Sequence, residues 1–115
     1  MESGEIRDDQ LSSSSSYSSS VVARMGRLGR EEGGGAWCPR SVVTNSSEEW
    51  IQVELGQQTL VTGVVLQGRY DRGLGAEWAQ VVRILAWSHG TWLQLGNTRP
   101  ANVDTFTPVL VSLEP

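Results

Sequence analysis

The chain has 115 residues and a formal net charge of −4, which is enough polypeptide for one modest hydrophobic core. All nine basic residues are arginine and thirteen acidic residues outnumber them, which argues against a nucleic-acid-binding surface. No apolar run approaches the ~20 residues of a membrane span, and Met1 to Glu5 lack the apolar core of a signal peptide.

The first half of the chain is rich in serine and glycine. Residues 11–20 contain eight serines around Tyr17, a composition typical of a flexible linker. Residues 21–28 are too few and too interrupted by glycine to predict a secure helix. Residues 29–35, with four glycines, predict a loop, and residues 41–49 predict a polar connection.

The second half predicts short strands separated by glycine turns. Ile51, Val53 and Leu55 alternate with polar residues, as in a half-buried strand. The other predicted segments are a strand buried on both faces at 60–66, a loop at 68–75, a strand at 81–87, its hairpin partner at 91–95, and a last strand within 105–113 broken by Pro108. This pattern indicates an all-β antiparallel sandwich or barrel.

Residues that could support catalysis are scattered. Cys38 is the only cysteine, and the only histidine, His89, is distant in sequence, so neither a disulfide nor a thiol nucleophile is indicated. We expect no enzymatic activity, no cofactor and a reduced, mostly buried Cys38 thiol. No metal ligands are assigned, and calcium binding is not readable from spacing because calcium also uses backbone carbonyls.

Three sequence blocks carry a family resemblance. They are Gly35-Ala36-Trp37-Cys38-Pro39, the strand from Trp50 to Gly56, and the hairpin from Trp87 to Trp92. In order and spacing they resemble the discoidin domain, the C-type module of coagulation factors five and eight. The resemblance implies a discoidin-type β-sandwich, of the jelly-roll or galactose-binding-like kind, over residues 1–115. It also implies that the serine-rich segment is a first strand followed by a loop, and that Trp37 is a core residue. Trp50 and Trp87 are likewise expected in the core, and not in a platform that stacks on glycans.

Members of this family usually begin after a cysteine and continue a few dozen residues beyond the position of Pro115, to a strand that ends in a second cysteine. We therefore expect a sandwich that lacks its terminal strand or strands. The chain would then be a fragment, a gene-model truncation or a shortened variant.

The resemblance also predicts the function. It implies an extracellular adhesion module, or the ectodomain of a membrane protein, that binds its ligand through loops at one end of the sandwich. The glycine-rich segment and residues 35–39 look most like the collagen-receptor members, which predicts a collagen-like matrix protein or a cell-surface ligand. Tyr17 takes the place of a loop tryptophan, and Arg69 and Glu77 match, whereas Val21 and Gly34 replace a threonine and an aspartate.

Two functions are alternatives to binding a matrix or cell-surface protein. Phospholipid-binding members insert apolar loop tips into anionic membrane, and Tyr17, Val21, Val22, Tyr70 and Leu74 could form such tips. Val21 and Val22 could instead pack beneath the loop as core. The second alternative is a truncated remnant that binds nothing.

Two further expectations concern polar residues. Arg69 and Glu77 should pair across the third loop as an exposed ion pair that holds the tip from Tyr70 to Leu74. Asn45-Ser46-Ser47 is a glycosylation sequon, so Asn45 is expected to be exposed, and glycosylated if a longer parent is secreted.

Overall fold

Short β-strands provide most of the regular structure of the protein. The computed structural model describes residues 1–44 and 47–113. The strands are β1 (Leu11–Ser13), β2 (Ile51–Val53), β3 (Gly63–Leu66), β4 (Val81–Val82), β5 (Leu85–Ser88), β6 (Thr91–Gln94), β7 (Arg99–Pro100) and β8 (Val109–Ser112). The helical segments within these ranges are short 3-10 turns at Asp8–Gln10, Ala23–Gly26 and Asp71–Gly73. The predicted all-β class is confirmed, and none of the described helical turns is long and apolar enough to cross a membrane.

Within the described residues the strands pair as antiparallel ladders, β1–β2, β3–β8, β4–β7 and β5–β6. The first of these confirms that the serine-rich segment begins as a strand, with Leu11 opposite Val53. After Ser13 the chain becomes a loop, and the indole Nε1 of Trp37 donates a hydrogen bond to the carbonyl oxygen of Ser15 at 2.8 Å. The N-terminal half is thereby fixed by pairing with distant residues, which composition alone does not reveal.

The predicted doubly buried strand at residues 60–66 is shorter and more exposed than expected. Only Gly63–Leu66 is a strand, and it pairs with β8 alone among the described strands. Val64 and Val111 are opposite each other on the inner face, and Val111 is buried. Val65 and Leu110 are opposite each other on the outer face, where both stay exposed. The prediction of burial on both faces was wrong because no described strand or helix covers that outer face.

The predicted strand at residues 81–87 divides into two. Val81–Val82 pairs with β7, and Leu85–Ser88 pairs with β6. The carbonyl of Ile84 already accepts the amide of Leu95 after β6, so the chain changes partner at Arg83. The hairpin of β5 and β6 is confirmed, with Trp87 directly opposite Trp92. Their rings meet edge to face with centroids 5.3 Å apart.

The tryptophans are less buried than the core assignment required. Trp37 is half-buried, whereas Trp50 and Trp87 are exposed. The core prediction was therefore wrong for Trp50, which directly precedes β2, and for Trp87 of β5, because no described element packs over their large rings. The buried apolar residues are instead small or medium-sized: Leu11, Val21, Ala23, Ala101 and Val111.

Candidate ligand-binding loops

Three loops lie side by side and are joined by hydrogen bonds. We call this surface the loop end, and it consists of the first loop (residues 14–22), the second loop (29–38) and the third loop (69–77). The second loop is joined to the first by backbone hydrogen bonds from the amides of Gly34 to the carbonyl of Ser20, at 2.7 Å, and of Cys38 to that of Val21, at 3.0 Å. The amide of Tyr17 donates to the carbonyl of Cys38 at 2.9 Å. The loops are therefore held by main-chain bonds that do not depend on a ligand.

Arg69 joins the third loop to the second. Its Nε donates to the carbonyl oxygen of Gly34 at 2.7 Å, its Nη1 to Glu77 Oε2 at 3.1 Å, and its Nη2 to Asp71 Oδ2 at 2.7 Å. The backbone amide of Arg69 also donates to the carbonyl of Glu77 at 2.8 Å, as part of an isolated β-bridge. A guanidinium with each of its three nitrogens engaged has one orientation, so the contacts fix the side chain before any ligand arrives.

The pairing predicted for Arg69 and Glu77 is confirmed, but its expected exposure was wrong for the arginine. Arg69 keeps only 22% of its side-chain surface exposed, against 62% for Glu77. The reason is that the guanidinium lies between two loops instead of above one. A hydrogen bond from the backbone amide of Ala76, followed by the one from Arg69, lowers the pKa of Glu77 below its ordinary value of 4.5, so Glu77 is ionised at neutral pH.

Asp71 and Arg72 form the strained centre of the third loop. Both have a positive φ, 44° and 55°, which lies in the left-handed region that residues other than glycine adopt only at an energetic cost. The backbone amide of Arg72 donates to Glu31 Oε2 at 2.6 Å, and Arg72 Nη1 donates to the carbonyl of Glu31 at 3.0 Å. These contacts with the second loop offset the strain and close the third loop against it.

The carboxylate of Asp71 is buried between two guanidiniums. Its side chain is 9% exposed, with Oδ2 on Arg69. Oδ1 lies 3.2 Å from Arg72 Nη2 without hydrogen-bond geometry, and is a buried oxygen that accepts no hydrogen bond from the part of the chain that the structure describes. Sequence analysis missed Asp71, Glu31 and the carbonyl of Gly34. The available signal was an aspartate between two arginines in a glycine-rich loop.

The apolar residues predicted for the loop tips divide into two groups. Tyr17 and Leu74 are 75% and 80% exposed, and Tyr70 is partly exposed against the ring of Phe106. Val22 is half-buried. Val21 is only 5% exposed, so core packing is the correct interpretation for Val21 and its assignment as a contacting tip residue was wrong.

Burial of Val21 also determines what fits at position 34. A Cβ atom added to Gly34 would lie 2.5 Å from Val21 Cγ1 and 3.2 Å from the carbonyl oxygen of Ser20. The branched side chain of valine has little freedom to turn away. The aspartate that the resemblance implies at position 34 therefore does not fit this packing without a shift of the first loop.

Cys38 lies in the second loop near Arg69 and Glu77. It is half-buried, not mostly buried as expected, and is a free thiol. Burial raises its pKa above the ordinary value of 9.0, while Arg69 acts in the opposite direction and is outweighed.

We expect iodoacetamide to alkylate Cys38 slowly in the folded protein at pH 7.4, because a raised pKa leaves little thiolate. In denaturant the thiol should react several-fold faster. Mass spectrometry of timed samples measures both rates, and equal rates in the two states would contradict the expectation.

The glycosylation prediction for Asn45 lies outside the described residues. In residues 1–44 and 47–113, no three side chains of histidine, cysteine, aspartate or glutamate converge as metal ligands.

The loop end offers a rigid polar network flanked by exposed apolar side chains, which is the arrangement of a recognition surface.

A strand-built scaffold that presents rigid loops is the architecture of a recognition module. The F5/8 type C domain family matches residues 10–115, and the chain belongs to this family of discoidin β-sandwiches. The chain is 38% identical over 113 residues to the discoidin domain-containing receptor tyrosine kinase B of Caenorhabditis elegans, covering 91% of this chain and 14% of that protein. It is 43% identical over 84 residues to the human epithelial discoidin domain-containing receptor 1, covering 73% of this chain and 9% of the receptor.

The similarity extends to neuropilin-1. The chain is 36% identical to the human protein over 115 residues, which cover 90% of this chain and 12% of neuropilin-1. The chain thus spans less than a sixth of the length of each of these three relatives.

Proposed function

We propose that this domain is an extracellular recognition module that binds a collagen-like matrix protein through the loop end. The observation that carries the proposal is the fixed guanidinium of Arg69, held by Gly34, Asp71 and Glu77 from two loops. A polar group that is already oriented loses little entropy when a ligand binds, so its contacts contribute to affinity. The similarity to discoidin domain-containing receptors supports a role in ligand recognition at the cell surface.

The charges bonded within the loop end favour a protein ligand over an anionic membrane. The guanidinium of Arg69 pairs with Asp71 and Glu77, and that of Arg72 with Asp71, while the Glu31 carboxylate accepts the backbone amide of Arg72. These contacts bring three carboxylates together with two guanidiniums, which leaves no excess of positive charge to attract anionic headgroups.

Anionic phospholipid binding is the second candidate. The observation that favours it is the exposure of Tyr17 and Leu74, because exposed apolar tips can enter the boundary between headgroups and acyl chains. The two candidates differ in which tip matters: an aromatic anchor carries most of a protein interface, whereas an aliphatic tip matters most for membrane insertion.

The test compares binding of the full chain to immobilised triple-helical collagen and to vesicles of phosphatidylserine and phosphatidylcholine. We expect binding to collagen that Tyr17→Ala weakens roughly tenfold or more, and little binding to vesicles. Leu60→Ser is the matched control for Leu74→Ser, since Leu60 is 88% exposed and lies outside the three loops.

Each other outcome has a defined meaning. Vesicle binding that is lost in Leu74→Ser and retained in Leu60→Ser would replace the matrix proposal with the phospholipid candidate. Absence of binding to both probes by a folded wild-type chain would leave the non-binding remnant as the best description.

A further inference from the structure

A fourth segment, residues 102–107, brings an aromatic side chain to the loop end. The ring of Phe106 packs edge to face on Tyr70, with centroids 4.9 Å apart and planes at 62°. Tyr70 directly follows Arg69, so this aromatic pair adjoins the ion network. Phe106 nevertheless stays 59% exposed, and core packing therefore does not account for its position.

The backbone beneath Phe106 is fixed by side chains. Asp104 Oδ1 accepts hydrogen bonds from the amides of Phe106, at 3.0 Å, and of Thr107, at 2.7 Å. The buried amide of Asn102 donates to the carbonyls of Leu66, at 2.8 Å, and of Thr107, at 3.3 Å, and the side-chain amide of Gln67 donates to the carbonyl of Phe106. An exposed ring on a fixed backbone loses little freedom when it contacts a ligand, which is the character of an aromatic hot spot.

The surrounding charges indicate what kind of ligand fits. Asp71 and Glu77 pair with the guanidiniums of Arg69 and Arg72, and the Glu31 carboxylate accepts the backbone amide of Arg72. Asp104 adds a further carboxylate in the segment that carries Phe106, so negative charge exceeds positive charge around the aromatic pair. Arg30 and Glu32 of the second loop pair with each other and leave this balance unchanged. Hydrogen bonds from the amide and then the hydroxyl of Thr107 lower the pKa of Asp104, which is ionised at neutral pH. An excess of negative charge repels an anionic membrane and attracts a basic protein segment.

We propose that Phe106 and Tyr70 form an aromatic subsite of the loop end that takes an apolar side chain of a protein ligand, beside a basic residue of that ligand. This proposal rests on the proposed function and adds to it a specific pair of residues and a charge preference. The aromatic rings supply apolar contact area, and the neighbouring carboxylates select a ligand segment of positive charge.

The test measures binding of the full chain to immobilised triple-helical collagen by surface plasmon resonance. Phe106→Ala is expected to weaken binding about tenfold, with Phe106→Leu intermediate, and raised salt should weaken wild-type binding. Trp92→Ala is the matched control, because Trp92 is also an exposed ring in an edge-to-face pair, but lies in the β5–β6 hairpin. Tyr70→Ala provides a second variant that should reproduce the loss.

The outcomes separate this subsite from the proposed function itself. If wild-type binds collagen and Arg69→Lys weakens it while Phe106→Ala and Tyr70→Ala equal wild-type, the subsite is refuted and the proposed function stands. If wild-type does not bind collagen, both fail. If Phe106→Ala instead removes binding to phosphatidylserine vesicles, the subsite takes lipid and the protein ligand is rejected. Binding that is unchanged by salt would refute the charge preference.

Discussion

Replacing Arg69 with alanine is expected to lower the free energy of unfolding by about 3 kcal/mol, because it leaves the Asp71 carboxylate buried without a hydrogen bond. Asp71 is 7% exposed, and only Oδ2 has a hydrogen bond, which Arg69 donates. For a domain of this size the loss corresponds to a fall of about 15 °C in Tm, measurable by calorimetry or circular dichroism. The result would show that the residue proposed to meet the ligand also holds the second and third loops together.

Two variants serve as controls for this prediction. Glu77→Gln should cost at most about 1 kcal/mol, since Glu77 is largely exposed and its partner keeps two other acceptors. Arg69→Ala combined with Asp71→Asn should recover part of the loss, because asparagine is neutral and tolerates the positive φ at position 71. Equal destabilisation by Arg69→Ala and Glu77→Gln would contradict the role assigned to Asp71.

Gly75→Ala is expected to open the third loop and to reduce ligand binding more than tenfold. A Cβ atom at Gly75 would lie 2.0 Å from the carbonyl oxygen of Arg69, a contact that only a backbone movement can relieve. That movement pulls Arg69 away from Glu77, and the overpacking should cost about 3 kcal/mol. Collagen binding and thermal unfolding of the same sample measure both effects.

Gly73→Ala provides the matched comparison in the same loop. Gly73 has a φ of 89°, and a Cβ atom there meets nothing within 4 Å. The substitution should therefore cost only backbone strain, about 1 kcal/mol, and leave binding close to wild-type. If the two glycine variants bind equally, the conformation of the third loop does not control recognition.

The pairing of Arg69 with Glu77 was predictable from the sequence, whereas the burial of Asp71 between two arginines was not. Arg69 and Glu77 flank a glycine-rich loop, and such a loop returns on itself, so their pairing followed from spacing. The backbone around Asp71 is held by the bonds of its neighbours, Arg69 to Gly34 and Arg72 to Glu31, whose partners lie far earlier in the chain. Contacts between residues so far apart in the chain produce no pattern of alternating residue types that a single sequence could reveal.

The strands show the same limit. The hairpin of β5 and β6 was predicted correctly because its turn, Ser88-His89-Gly90, is local. The pairing of Arg99–Pro100 with Val81–Val82 was missed, since two residues, one of them proline, do not resemble a strand. Burial was overestimated at Trp50, Trp87 and residues 60–66 because an apolar pattern predicts which face is apolar, and not whether another sheet covers it.

The sequence separation of the paired strands also affects the kinetics of folding. The β5–β6 hairpin joins neighbouring residues, whereas β1–β2 and β3–β8 each close a loop of about 40 residues, at an entropic cost that precedes any gain from pairing. We therefore expect the hairpin to form early, and the two long-range ladders to set the folding rate. During that interval the aliphatic segments β3 and β8 are unpaired, so we expect refolding yield to fall as protein concentration rises, until Val64 pairs with Val111.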